Sequence, residues 1–153
     1  MTQITGALSA VNAAVQYSAN GSTWTSDLSG AGNKVTVGDA ARMSGAKYTF
    51  DGDVAIITTG KREPIEITFA FVYTEGASDA YKLLRDLHEA EDGTAIYMRW
   101  IPKGLTVGNF VNTVGPVKIT NFKDPENDPE SGDPLMFEIT VLAPSITRST
   151  YST

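Results

Sequence analysis

Five carboxylates, Asp124, Glu126, Asp128, Glu130 and Asp133, recur in the segment KDPENDPESGDP, the densest group of potential metal ligands in the chain. Hard cations such as calcium take carboxylate oxygens, but the spacing does not fit an EF-hand loop. Pro125, Pro129 and Pro134 stiffen the segment, which reads as a long exposed turn between two strands. His88 is the single histidine, so neither a histidine metal cluster nor a relay with a second imidazole can form. It falls at the edge of a helical apolar stripe beside Glu89 and near Arg85, the place of a packed edge histidine. The serines sit in turns and caps, and no G-x-S-x-G occurs. The junction TEGASDA has one glycine where a phosphate loop needs more, and Glu75 and Asp79 there would repel phosphate. Trp24, Trp100 and the tyrosines could form a sugar-stacking platform, although Ile96 and Met98 share a face with Trp100 and suggest core or a subunit seam. Catalytic, metal-ligating and cofactor-binding residues are therefore expected to be absent, and the chain is not expected to be an enzyme.

The elements that would carry these residues are mostly strands. IEITFAFVYTEG places Ile65, Ile67, Phe69, Phe71 and Tyr73 on one face and Glu66, Thr68, Ala70 and Thr74 on the other. The same order of charge then threonine returns in VKIT (Lys118, Thr120) and FEIT (Glu138, Thr140). Starts at 65, 117 and 137 share no period, so the likeness reflects a shared position in a sheet. AVNAAVQYS, residues 10–18, alternates Val11, Ala13, Val15 and Tyr17 against Asn12, Ala14, Gln16 and Ser18. Asn20-Gly21 follows as a hairpin turn and STWTSDLS as its return strand, a hairpin of about 10–29. Short strands are expected at 34–37 and 42–50, a turn at Asp51–Asp53, a strand VAIITT, and a polar loop GKRE before Pro64. Further strands are expected at 94–101, 116–122 and 135–142, with a loop PKGLTVGNF between the first two. The final segment, about 144–153, reads as a polar exposed tail.

One helix interrupts the strands. Over about 78–91, Ala80, Leu83, Leu84, Leu87 and Ala90 form one stripe, with Lys82, Arg85, Asp86 and Glu89 facing away. Ser78 suits its N-cap, Asp79 the positive end of its dipole, and Gly93 lies past its far end. The pattern predicts one mainly β domain over 1–153, an antiparallel β-sandwich or half-barrel with a single covering helix.

Composition narrows the partners. Acidic residues outnumber basic ones 18 to 12, a net charge of −6, which disfavours non-specific nucleic-acid binding. With no cysteines there are no disulfides, thiolate metal sites or cysteine nucleophiles, which suits assembly in a reducing cytoplasm. The N-terminus lacks a basic, then apolar, signal pattern, and no run approaches the ~18 apolar residues of a membrane helix.

From PIEITFAFVYTEGASDAYKLLRDLHEAEDGTAIYMRWIPKG, flanked by VTVGDAARMSGAKYTFDGDVAIITTGKREP and GPVKITNFKDPENDPESGDPLMFEITVLAP, the chain resembles the major tail tube proteins of long-tailed, siphovirus-type bacteriophages. The shared pattern is a strand pair with a loop, a long amphipathic strand, one helix, further strands and a polar tail. The resemblance implies a subunit whose hexameric rings stack into a hollow tube in the virion tail, assembled in the host bacterial cytoplasm. DNA passes through such a tube, and the partners are other copies of the chain, a tape measure, a tail terminator and tail-tip proteins, with no membrane. Joining sheets edge to edge around a lumen would pair their open edges. On that reading Glu66, Thr68, Lys118, Thr120, Glu138 and Thr140 are candidate lumen residues. Asp51, Asp53, Lys61, Arg62 and Glu63 are candidate inter-ring contacts. Alternatives are a tail terminator, a contractile-system tube protein, or a monomeric carbohydrate-binding sandwich.

Overall fold

The computed structural model describes residues 2–24, 26–90 and 93–152. In chain order the strands before the helix are β1 (Ala14–Ser18), β2 (Ser26–Asp27), β3 (Gly32–Val37), β4 (Arg42–Lys47), β5 (Ile56–Arg62) and β6 (Ile65–Val72). After α1 (Ala80–Glu89) come β7 (Ile96–Ile101), β8 (Phe110–Val117), β9 (Ile119–Lys123), β10 (Met136–Ala143) and β11 (Thr147–Thr150). They form a five-stranded sheet in the order β11-β8-β7-β1-β2, a four-stranded sheet β3-β6-β10-β9, and a separate hairpin of β4 and β5. Every pairing is antiparallel.

Alternation in β6 explains the layer structure. Ile65, Ile67, Phe69 and Phe71 are buried while Glu66 is exposed and Thr68 half-buried; Ala70, on the same side as these two, is small enough to be covered. β10 pairs with β6 over its full length and turns Phe137, Ile139 and Val141 to the same interior. Facing them from the five-stranded sheet are Val15, Ile96, Met98, Trp100 and Val114, in one continuous core. The Phe69 ring meets Trp100 edge-on at 5.9 Å and so spans the two sheets. Each such buried side chain contributes about 1.5–3 kcal/mol from removal of apolar surface from water. The expected antiparallel sandwich with one covering helix is the fold observed, and the two sheets do not close into a barrel.

The helix is shorter than its expected span. It runs Ala80–Glu89, with Asp79 rather than Ser78 at the N-cap; Glu91 of the expected span lies outside the described residues. The Asp79 carboxylate accepts from the Gly76 amide at 2.9 Å and makes no cap bond to the first turn. Ala80 and Leu84 are buried and Leu83 and Leu87 partly so, as the stripe predicts, but Ala90 is the C-cap and is exposed. Tyr81 also packs, edge-on to Phe137 at 5.2 Å and Phe122 at 5.7 Å. These rings belong to the interior face of the four-stranded sheet, so α1 covers the β9 side of the core. The outward charges pair along the helix, Lys82 to Asp86 at 2.6 Å and Arg85 to Glu89 at 3.2 Å. Gly93, at φ +70°, lies three residues past the Ala90 C-cap, and its amide donates to the Ala90 carbonyl at 2.8 Å.

Five expectations need correction. Residues 10–12 form a 3₁₀ turn, Val11 is exposed, and the strand begins at Ala14, with Ala14, Gln16 and Ser18 buried as well as Val15. The second face of β1 is covered as well: Ala14 packs with Ile101, Val111 and Tyr151 in a small second cluster, and the Gln16 side chain accepts from Arg99. The turn at Asn20-Gly21 is present: the Asn20 side chain accepts from the Ser22 and Thr23 amides, both at 2.9 Å. Gly21 has φ +81°, and a Cβ there would come 2.8 Å from the Tyr97 ring. The return strand is only Ser26–Asp27. GKRE is not a loop as far as Arg62, because β5 continues through Gly60, Lys61 and Arg62 against β4. The single strand expected at 116–122 is two, β8 and β9, in different sheets, with the chain crossing at Lys118. The expected tail is also structured: β11 pairs with β8 from Thr147↔Thr113 to Thr150↔Phe110. Pairing needs only backbone donors and acceptors, so polar side chains did not prevent it.

Candidate functional site

The polar face of the four-stranded sheet is built by register. Thr36, Thr68 and Thr140 lie opposite one another on β3, β6 and β10, and Asn121 on β9 continues the row. The Thr68 and Thr140 hydroxyls are 3.2 Å apart and hydrogen-bonded. The next row holds Lys34, Ala70, Glu138 and Lys123, so a carboxylate stands directly across from a lysine. Glu66, on the other side of the threonine row, pairs with Leu142. The face carries two lysines and two glutamates around a band of hydroxyl and amide groups. The excess negative charge of the chain lies elsewhere, chiefly in the 124–133 segment.

Four of the six candidate lumen residues, Glu66, Thr68, Glu138 and Thr140, meet on this face. Thr120 is the extra residue of a bulge, between Ile119 opposite Val141 and Asn121 opposite Thr140, and its hydroxyl donates to the Thr140 carbonyl at 3.0 Å. Lys118 occupies the crossing between the sheets, where its aliphatic stem lies beside Gly93 past the helix end. Neither belongs to the two rows. Thr36, Lys34, Asn121 and Lys123 were not anticipated, because no pattern along the chain tells which strands become neighbours.

The candidate inter-ring residues divide between the ends of one projection. Asp51 and Asp53 are at the tip of the β4–β5 hairpin; Lys61, Arg62 and Glu63 are at its base, and the Glu63 amide donates to the Ala41 carbonyl. Every residue of β4 and β5 is exposed. Among them and at the tip are Met43, Tyr48, Phe50, Val54, Ile56 and Ile57, a set of exposed apolar side chains that the polar candidates overlooked. A β-branched strand with no partner for its second face was the available signal.

Among the described residues, no group of three or more histidine, aspartate or glutamate side chains could hold a metal ion. In the acidic segment the Asp124 carboxylate accepts from the Tyr81 hydroxyl at 2.9 Å, and the Asp128 carboxylate accepts from the Glu130 amide at 3.0 Å. Burial first, and the Asp124 bond second, push the Tyr81 phenol above its ordinary value. His88 stacks on Phe122 at 5.7 Å. Trp100 is buried against Phe69, while Trp24 lies 4.4 Å from the Arg99 guanidinium, which also faces Tyr151 at 5.4 Å. Arg99 Nε donates to the Gln16 side chain at 2.7 Å, and burial pulls the guanidinium below its ordinary value. This cluster ties the N-terminal hairpin and the C-terminal strand to the five-stranded sheet. The two tryptophans therefore form no coplanar exposed pair.

The fold is similar to that of chains from phage tails and contractile injection machines. Among solved structures, a chain of the sheath–tube complex of the extracellular contractile injection system PVC, in its extended state, aligns at TM-score 0.73 with 13% identity, over 96% of this chain and 94% of that one. A chain of the tube-terminating cap of the anti-feeding prophage aligns at 0.73 with 14% identity, over 98% and 95%. The SPP1 tail tube subunit aligns at 0.66 with 13% identity, over 96% and 81%. At these identities the likeness is one of fold. No protein-family model and no curated protein matches the sequence.

Proposed function

We propose that the protein is the structural subunit of a phage tail tube, assembling into hexameric rings that stack into a conduit for DNA. The observation that carries this reading is the four-stranded sheet: polar on one face, packed on the other, and open at β3 and β9. Its strands alternate in direction, and four is an even number, so β9 of one copy and β3 of the next run antiparallel when placed side by side. Copies can therefore continue the ladder around a ring without a break in pattern, which removes edges that would otherwise invite aggregation. The near-complete overlap with tube and cap subunits supports the same reading.

In such a ring Thr36, Thr68, Thr140 and Asn121 form hydrated bands on the lumen wall, flanked by Glu66, Glu138, Lys34 and Lys123. Balanced charge gives phosphate no net attraction, and the absence of aromatic side chains from these rows gives bases no stacking surface. DNA slides past such a wall instead of adhering. The hairpin residues Asp51, Asp53, Lys61, Arg62 and Glu63 lie between rings. The tape measure, tail terminator and tail-tip proteins are the other partners, in a virion tail built in the host cytoplasm. The likeness to PVC and anti-feeding prophage chains also favours a second reading, the tube or terminator of a contractile machine, which predicts a co-purifying sheath protein.

Electron microscopy of the purified protein tests the proposal. Rings or tubes with a central channel are expected on concentration; a strictly monomeric species at high concentration would count decisively against it.

A further inference from the structure

Three arginines meet where the hairpin joins the sandwich. Arg42 opens β4, Arg62 closes β5, and the two are directly opposite in register. Arg148 reaches the same place from β11, its guanidinium donating to the Asn112 side chain. With Glu63 as the one carboxylate lining it, they border a groove of about 300 Å³. Like charges placed opposite each other across a strand pair are unfavourable unless something neutralises them. Among the described residues, ion pairs join only Lys82 to Asp86 and Arg85 to Glu89, and none of the described carboxylates pairs with these arginines.

The complementary charge is at the other end of the same sheet. The segment from Asp124 to Asp133 carries five carboxylates and no basic residue, and all five are exposed. It links β9 to the start of β10, where Met136 pairs with Val72; the arginine groove adjoins the opposite end, where Ala143 pairs with Ile65. Seven residue steps of β6 separate these ends, roughly 23 Å at the rise of a strand. A copy cannot fold its own acidic segment across that span, because Asp124 is held by Tyr81 and the segment is anchored in β9 and β10. Pro125, Pro129 and Pro134 further restrict it.

We infer that the Arg42–Arg62–Arg148 groove receives the acidic 124–133 segment of a second copy of this chain. Patches of opposite charge at opposite poles make a head-to-tail contact, which propagates and does not close on a pair. The sheet direction of β6 then follows the stacking axis, and the contact sets the rotation of one ring on the next. This inference rests on the tube reading and names the ring-to-ring joint within it.

Charge reversal in the full chain tests it, with circular dichroism confirming the fold of each variant. R42E/R62E alters the groove. E126K/E130K alters the segment while sparing Asp124, which bonds Tyr81, and Asp128, which shapes the turn. Each reversal is expected to lower the fraction of protein in tubes at least about tenfold at low salt, since juxtaposed like charges oppose association strongly. Combining both reversals in one chain is expected to restore tubes. Tubes of native length from R42E/R62E, or a folded combined variant that makes none, would overturn the joint and leave the tube reading standing. If the native protein forms neither rings nor tubes, the tube reading fails, and sedimentation decides the joint separately. Salt-sensitive association lost in R42E/R62E then supports it, and a native monomer refutes it.

Discussion

Phe69 is wholly buried, stacks with Phe71 at 6.4 Å and meets Trp100 of the facing sheet, so one ring couples both layers. Phe69→Ala is expected to lower stability by about 3–5 kcal/mol, because the cavity cannot be refilled from two sheets held by their own ladders. Denaturant unfolding would measure it; a loss below about 1 kcal/mol would mean the sheets readjust freely. Tyr81 makes a different prediction. Its folded-state phenol is raised above the ordinary 10.0 by burial and by the Asp124 carboxylate. The unfolded chain therefore loses this proton first as pH rises, so the stabilisation is complete below pH 10 and is lost through the alkaline range above it. Tyr81→Phe is expected to flatten the fall of melting temperature above pH 10; an unchanged alkaline slope would assign that fall to other groups.

At the scale of elements, the hairpin and β11 behave oppositely although both are exposed. The hairpin residues contribute nothing to the core, and every side chain of β4 and β5 meets solvent. Replacing residues 43–61 with a short glycine turn is therefore expected to leave denaturant stability within about 1 kcal/mol while abolishing tubes. Collapse of the fold would show that the hairpin supports the sandwich itself. β11 has four residues paired with β8 and sits beside Tyr151, which faces Arg99. Ending the chain after Ile146 bares the β8 edge and opens the Arg99 cluster. A cost on the order of 2–4 kcal/mol is expected from the lost ladder bonds, and thermal unfolding would reveal it.

For the whole assembly, the proposed wall of threonines and balanced charges makes a direct prediction. Tubes of the native chain should not retain DNA at low salt. T68K/T140K places two additional cations on each copy in the threonine row and should cause retention that weakens steeply as salt rises. A filter-binding titration distinguishes the outcomes: if T68K/T140K tubes retain no more DNA than native ones, these positions do not face the channel. Salt weakens the stacking joint as well. The Debye length falls from about 10 Å at 0.1 M to about 3 Å at 1 M, so an exposed arginine–carboxylate contact between rings should weaken over that range.

Much of the fold was legible along the chain, because its signals are local. Alternation in 65–72 depends on two-residue periodicity, the helix on 3.6-residue periodicity, and the turn at Asn20-Gly21 on a glycine that must adopt positive φ. The strands at 110–117 and 147–150 were missed because Gly115-Pro116 interrupts the first and polar residues fill the second. Their reason to be strands is each other, a backbone ladder joining residues far apart in sequence. The same limit applied to the candidate surfaces. Glu66, Thr68, Glu138 and Thr140 could be read from a repeated pattern, but not that β6 and β10 are neighbours or that β3 and β9 complete their rows. Sequence by itself determined the faces of single elements. Only the tertiary structure decided register, the crossing at Lys118, the meeting of three arginines and the placing of an acidic segment at the opposite pole. Those are properties of non-local pairing, which short-range periodicity does not encode.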